Sequence, residues 1–256
     1  MLPASLTKHS KNLACPFGPT TFQLLQSDDG VSNGTGLWLG AQCLSAYLAY
    51  SGVVKSGMKA IELGSGIGLT ALVLSHLGCT TTATDLPWVI STCLTRNIEN
   101  NMSRLSHGSG EILVRELDWT VLPDRFLWDH ETIIASPACV PSVEQRLSDP
   151  FDLVVSADTV YDMALVTPLL RTLHALCTLS LAAPSSSRRV PVVFICLERR
   201  DPTVIDRTLE DAKSIWGFTV VRIPPRKVSK ALEKGDMKWK KEDWEGVELW
   251  KLTLGA

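Results

Sequence analysis

Three glycines, Gly64, Gly66 and Gly68, preceded by Glu62 and followed about 20 residues later by Asp85, form the most informative chemical pattern in the chain. Met58 to Leu63 reads as a short buried strand, Gly64 to Gly68 as a tight turn, and Leu69 to Leu77 as the helix that the turn feeds. Glycine is needed at such a turn because a side chain would clash with a ligand, and because only glycine enters positive φ cheaply. Thr80 to Thr84 reads as a second strand, and Asp85 at its carboxyl end can accept two hydrogen bonds from a ribose diol. The same glycines also suit a plain strand-to-helix turn, a reading against which Asp85 counts.

The spacing separates one nucleoside cofactor from another. A dinucleotide site wants Gly-x-Gly-x-x-Gly with a pyrophosphate at the helix N-terminus, but Leu69 stands where the third glycine belongs, which disfavours a nicotinamide dehydrogenase. The chain has Gly-x-Gly-x-Gly instead. Glu62 would repel a pyrophosphate yet can face the ammonium of an amino acid, so the expected cofactor is S-adenosyl-L-methionine.

The remaining elements must carry other reactive side chains to that turn. Glu111 to Leu117 alternates as a third strand ending in Asp118-Trp119; Phe151 to Ala157 is a continuously apolar fourth strand that delivers Asp158, Thr159, Val160 and Tyr161. Val190 to Leu197 is a fifth, delivering Glu198 to Arg200, and Phe218 to Ile223 and Val247 to Leu254 follow with no helix expected between them. Helices are expected at Ala41 to Tyr50, Pro87 to Asn101, Leu165 to Leu179 and Pro202 to Trp216. The second of these has an apolar face of Val89, Ile90, Cys93, Leu94 and Ile98. Thr120 to Pro150, broken by prolines, reads as a loop or insertion. This alternation predicts an α/β, Rossmann-like, seven-stranded and mostly parallel sheet closed by one antiparallel strand. Parallel strands gather ligands at their carboxyl ends, so five separated segments converge on one edge. Residues 1–40, with a strand-like Phe22 to Gln26 and a turn-rich Asp28 to Gly36, read as an N-terminal arm or hairpin before a single domain over 41–256.

Composition narrows the function classes. The 256 residues hold 25 Lys and Arg against 27 Asp and Glu, a formal charge of -2, so no global positive field draws the protein to nucleic acid or acidic lipid. Pro224 to Trp244 is locally basic and aromatic, yet Glu233, Asp236, Glu242 and Asp243 dilute it; it reads as a solvated helical hairpin and a collar for a protein substrate. Seven cysteines, Cys15, Cys43, Cys79, Cys93, Cys139, Cys177 and Cys196, lack Cys-x-x-Cys spacing and read as reduced core thiols. No histidine has metal-ligand spacing, and no metal is expected. The first residues hold no apolar signal core and no stretch approaches the roughly 18 uncharged apolar residues of a membrane span. A monomer in the cytoplasm, with the nucleus as a second location, is the expectation. Pro184 to Arg189 is a serine-rich loop.

With these residues in view, the chain resembles the seven-β-strand S-adenosylmethionine methyltransferases of methyltransferase family 16, which methylate lysines on chaperones and translation elongation factors. The resemblance rests on Gly36-Leu37-Trp38, Glu62 to Gly68, Asp85, Leu117-Asp118-Trp119 and Ala157 to Tyr161. It implies the class I methyltransferase fold and a protein-lysine N-methyltransferase whose partner is a protein presenting a lysine. It further implies that Gly64, Ser65 and Gly66 pass under the methionine portion of the cofactor. Asp85 then binds the ribose, while Trp38, Trp119 and Ala157 line the rest of the pocket. Both indoles could equally be core tryptophans.

Methyl transfer needs a neutral amine held in line with an activated methyl group and shielded from water. Asp158 is expected to orient the amine, and Tyr161 to wall its alkyl stem and offer a hydroxyl. Asp158 could instead cap a helix beginning near Asp162. An RNA, DNA or small-molecule methyltransferase is the first competing reading. Amino-methylating nucleic-acid enzymes carry Asn/Asp-Pro-Pro-Tyr/Phe where this chain has Asp158-Thr159-Val160-Tyr161. A catalytically inactive cofactor-binding interaction module is the second.

Overall fold

A computed structural model of the chain describes residues 1–27, 34–139, 145–184 and 190–255. The expected turn at 28–33 and the serine-rich loop at 185–189 lie outside the described residues.

After a one-turn helix α1 (Ala4–Thr7), strands β1 (Asn12–Phe17) and β2 (Thr20–Leu25) pair antiparallel as a hairpin. The central elements are α2 (Leu39–Tyr50), β3 (Lys59–Leu63), α3 (Leu69–His76), β4 (Thr80–Asp85), α4 (Pro87–Val89), α5 (Thr95–Asn101) and β5 (Ile112–Leu117). Then come β6 (Ile133–Ala135), β7 (Leu153–Ala157), α6 (Met163–Ala182), β8 (Val192–Glu198), α7 (Pro202–Ser214), β9 (Phe218–Arg222), α8 (Pro225–Lys234) and β10 (Val247–Leu254). The expected helix from Pro87 to Asn101 is continuous, with a π-helical stretch at Ile90–Leu94 joining α4 to α5. Four of its five expected apolar positions, Val89, Cys93, Leu94 and Ile98, are buried.

Among the described residues the main sheet has eight strands in the order β6-β5-β4-β3-β7-β8-β10-β9. Three expectations need correction here. The eighth strand, β6, comes from the stretch expected to be a loop, and a side chain recruits it. The buried Arg115 guanidinium on β5 brings the two N–H groups of Nη2 within hydrogen-bonding reach of the carbonyls of Leu127 (2.6 Å), Trp128 (3.2 Å), Ile133 (2.9 Å) and His130, which share them. The loop is thereby stapled along the edge of β5, where Ile133–Ala135 pairs across a register shift. The antiparallel strand β10 does not close the sheet, because it inserts between β8 and β9 and pairs with both. Finally, α8 stands between β9 and β10, where the strand alternation left no helix although the segment itself read as a helical hairpin. It is not fully solvated, since it buries Val228, Ala231 and Leu232 against the sheet's α2 side.

Helices cover both faces of the sheet, which is why its central strands are apolar on both sides. One core gathers Phe22, Leu44, Leu72, Leu94 and Leu232; the other gathers Ile61, Leu63, Leu170, Leu173 and Leu209. The hairpin joins the first core through Leu13, Cys15, Phe17, Phe22 and Leu24. Two buried asparagines of α5 secure it: Asn97 exchanges bonds with Leu25 and Asn101 with Gln23, each at 2.8 Å. Six of the seven cysteines are buried, and Cys139 is partly exposed. No uncharged apolar stretch of membrane-spanning length is expected, and the longest described helix, α6, is interrupted by a charge. By length and composition alone α6 is apolar enough to cross a membrane, although it lies half-buried on the sheet with Arg171 and His174 in its middle.

Strand order sets the position of the site. The chain steps from β3 outward through β4, β5 and β6, then returns to place β7 on the other side of β3. A crevice opens at that reversal, above the carboxyl ends of β3 and β7.

Candidate functional site

The alternation of β3 decides which way its acid points. Ile61 and Leu63 belong to one core and Ala60 to the other, so Glu62 shares Ala60's face, beneath α3. There it is 1 % exposed, with Ser65 and Thr70 as hydrogen-bonding neighbours and Oε2 left without a partner. Burial pushes its carboxyl group up to about 8. A buried carboxyl with an unmet oxygen is a fitting seat for an ammonium group, which would favour its ionised form.

The turn after β3 rises over the crevice. Gly64, Gly66 and Gly68 have φ of 71°, 53° and 89°, the left-handed region that glycine enters without a Cβ penalty. At Gly64 a Cβ would also stand 2.7 Å from Thr159 Cγ2 and 3.5 Å from the Trp119 ring, so a side chain there would intrude on the walls of the site. Ser65 fixes the turn against β4: its N–H donates to Thr84 O (2.9 Å) and its hydroxyl accepts from Thr84 N (3.0 Å). Asp85, at the end of β4, accepts from Gly66 N and Leu86 N, each at 2.8 Å. Burial raises its carboxyl to about 6, with those two bonds pulling the other way.

Across the crevice, the end of β7 carries a second aspartate in a strained setting. Asp158 has φ of 54°, unusual for a residue with a side chain. Its Oδ2 accepts from Gly40 N at the start of α2 (2.6 Å), and its Oδ1 accepts from Glu198 N at the end of β8 (3.1 Å). It therefore caps a helix 118 residues away rather than α6, whose N-cap is Asp162 through Ala164 N at 2.8 Å. Gly40 makes this approach possible, because a Cβ there would lie 2.5 Å from Asp158 Oδ2. Burial raises the Asp158 carboxyl to about 6 against the pull of both bonds and of Arg200. Tyr161 is exposed at the mouth, its hydroxyl pushed above its ordinary value by burial and by the carboxylates of Asp85 and Asp162.

Trp38, Gly64, Gly66, Asp85, Trp119, Ala157, Asp158 and Tyr161 all line one cavity of about 690 Å³. Glu62 and Ser65 do not; they line a narrow cleft of about 30 Å³ beside it, which shares Trp38, Gly64, Gly66 and Ala157 with the cavity. Asp118, Glu198 and Arg200, which the sequence placed at the site edge without an individual role, line the cavity, and so do Trp88 and Asp201, which it passed over. Trp88 lies in α4 but outside the apolar face expected of that helix, and Asp201 is the N-cap of α7, so neither carried a periodic signal. The Trp119 indole N–H is buried without a partner. A cavity of this volume, bounded by a glycine turn and by buried carboxyl groups, suits a nucleoside joined to an amino acid.

Known proteins agree with this geometry. A family profile described as lysine methyltransferase matches residues 19–142. The mouse protein N-lysine methyltransferase METTL21A is 32% identical over 174 residues, covering 68% of this chain and 69% of that protein. The bovine protein-lysine methyltransferase METTL21E is 34% identical over 119 residues, 46% of this chain and 33% of its own length. Among solved structures, a putative SAM-dependent methyltransferase from Streptococcus mutans superposes with a TM-score of 0.50 at 11% identity, covering 95% of this chain and 56% of that one, a likeness of fold. The chain belongs to methyltransferase family 16, the lysine methyltransferases.

Proposed function

We propose that the protein transfers a methyl group from S-adenosylmethionine to the side-chain amine of a lysine on a protein substrate. The observation that carries the reading is the meeting, in one cavity, of a glycine cradle and Asp85 on one side of the strand-order reversal with Asp158 and Tyr161 on the other. S-Adenosylmethionine is the methyl donor of this family and supplies an activated methyl on a sulfonium. Asp85 holds the ribose hydroxyls, Glu62 the ammonium, and the backbone of Gly64 to Gly66 passes beneath the chain between them. Trp38, Trp119 and Ala157 form apolar walls, and aromatic faces attract a sulfonium.

On the acceptor side, Asp158 has two backbone donors on its oxygens, and a carboxylate offers about four lone-pair sites, so acceptor capacity remains for an incoming amine. Because both bonds run to separate elements, the carboxylate cannot swing, and orientation is what in-line transfer demands. Tyr161 keeps its proton, packs along the alkyl stem of the lysine and offers its hydroxyl at the mouth of the site. The amine reacts in its neutral form, which desolvation in the cavity favours and the carboxylates oppose.

The acceptor protein, in this reading, is a translation elongation factor or a chaperone, which places the enzyme in the cytoplasm. Incubating the purified protein with methyl-radiolabelled S-adenosylmethionine and cell lysate tests the reaction. The expected label is lost on protease treatment, survives nuclease, and appears as methyl-lysine after acid hydrolysis. Label that survives protease and disappears with nuclease would overturn the reading.

A further inference from the structure

The charge of the cavity is one-sided. Asp85, Asp118, Asp158, Glu198 and Asp201 line it, and among the described residues Arg200 is the single cationic side chain that does so. A donor ending in an amino acid brings an ammonium, for which Glu62 is placed, and also a carboxylate. Set among five others, that carboxylate needs a cation.

The neighbouring arginines are otherwise engaged. Arg171 donates from Nη2 to Trp119 O (2.9 Å) and Thr120 O (3.1 Å) and does not line the cavity. Arg199 is held by Glu248 at 2.9 and 3.0 Å and by Asp206 at 2.8 Å. Arg200 is placed differently. Its guanidinium lies 4.5 Å from the centroid of Trp38, and Trp38 lines both the cavity and the cleft that holds Glu62. It pairs with Glu198 through Nη2, and its side chain is 48 % exposed. A guanidinium has five N–H donors in a planar fork, so it can stack on an indole, keep one acid and still present donors to a second.

We propose that Arg200 is a cofactor-binding residue: stacked on Trp38, it takes the carboxylate of the amino-acid end of S-adenosylmethionine, opposite the ammonium seat at Glu62. This assignment rests on the cofactor reading above and adds the residue that completes recognition of the zwitterion. It also explains an arginine rather than a lysine at this position, since an ammonium could neither stack flat on Trp38 nor divide its donors in one plane.

Two ligands that differ by the carboxylate alone test it. Calorimetry would compare S-adenosylhomocysteine with 5′-deoxy-5′-(3-aminopropylthio)adenosine on wild type, Arg200→Gln and Arg200→Lys. Arg200→Gln is expected to weaken S-adenosylhomocysteine about 10- to 100-fold, the range for a lost charge-assisted hydrogen bond. The same variant should leave the decarboxylated ligand within about twofold of wild type. Arg200→Lys should fall between. Equal loss for both ligands would overturn the assignment, as would unchanged S-adenosylhomocysteine binding with a raised KM for the protein substrate. Failure of wild type to bind either ligand would overturn the cofactor site itself, a result distinct from any difference between variants.

Discussion

Asp85 and Asp158 are nearly matched in chemistry and opposite in construction. Both end a parallel strand, both accept two backbone N–H bonds, and burial raises both to about 6. Asp85 is held locally, by the next residue and by the turn one βαβ unit back. Asp158 is held by partners 118 and 40 residues away, in a left-handed backbone conformation that its side-chain bonds help to maintain. The lesson is that one acid belongs to a motif and the other to the assembled fold. Altering Asp85 disturbs one local turn and ligand binding, whereas Asp158 joins three elements and the chemistry at once.

Asp158→Ala is the harshest way to probe that contrast. It leaves the Gly40 and Glu198 N–H groups without acceptors, at about 1–3 kcal/mol each. Turnover should also fall by at least about 100-fold, as for loss of a positioned polar group in the transition state. Urea unfolding and initial rates measure the two effects, and a stability loss no larger than that of Asp85→Asn would dissolve the distinction. Gly40→Ala attacks the same contact from the other side. Its Cβ would lie 2.5 Å from Asp158 Oδ2, so overpacking should cost about 1–3 kcal/mol and lower kcat while S-adenosylhomocysteine affinity stays near wild type. For Asp85→Asn the order reverses: affinity should drop about 10- to 100-fold, and the loss of stability should be smaller than for Asp158→Ala, because the amide oxygen keeps an acceptor for one of the Gly66 and Leu86 N–H groups.

The pH dependence sharpens the comparison. The folded Asp85 and Asp158 carboxyls, at about 6, hold protons that the unfolded chain has released, and Glu62 at about 8 extends the interval. Stability of the ligand-free protein should therefore be greatest on the acid side and decline as pH climbs through about 6 toward about 8. Affinity for S-adenosylhomocysteine should instead rise through about 6, because Asp85 must be ionised to accept both ribose hydroxyls. Urea midpoints and binding isotherms across that range check both signs, and a midpoint that rises over the interval would contradict the burial of these acids. The smallest effect is reserved for Tyr161→Phe, with kcat reduced about two- to tenfold and cofactor affinity unchanged.

The glycine turn, Asp85 and the convergence of strand ends were legible because each is a local or periodic signal. Three φ-positive glycines in five residues leave few alternatives for the backbone, and β-branched runs declare buried parallel strands. The eighth strand was illegible because Arg115 recruits it through four carbonyls spread along a loop. The position of β10 escaped because pairing order among adjacent strands leaves no mark in hydrophobic period.

For the site itself, the sequence by itself determined which side chains stand at the carboxyl edge, since strand length and turn chemistry fix where each strand stops. Only the tertiary structure decided what those side chains do there. The pleat of β3 turned Glu62 away from the main cavity into its own cleft, and the packing of α2 against β7 and β8 gave Asp158 both of its donors. A loop after β8 laid Arg200 over Trp38. Each of these depends on distance between elements far apart in the chain, and that distance is set by how the cores on the two faces of the sheet fill, a property that no local window of residues contains.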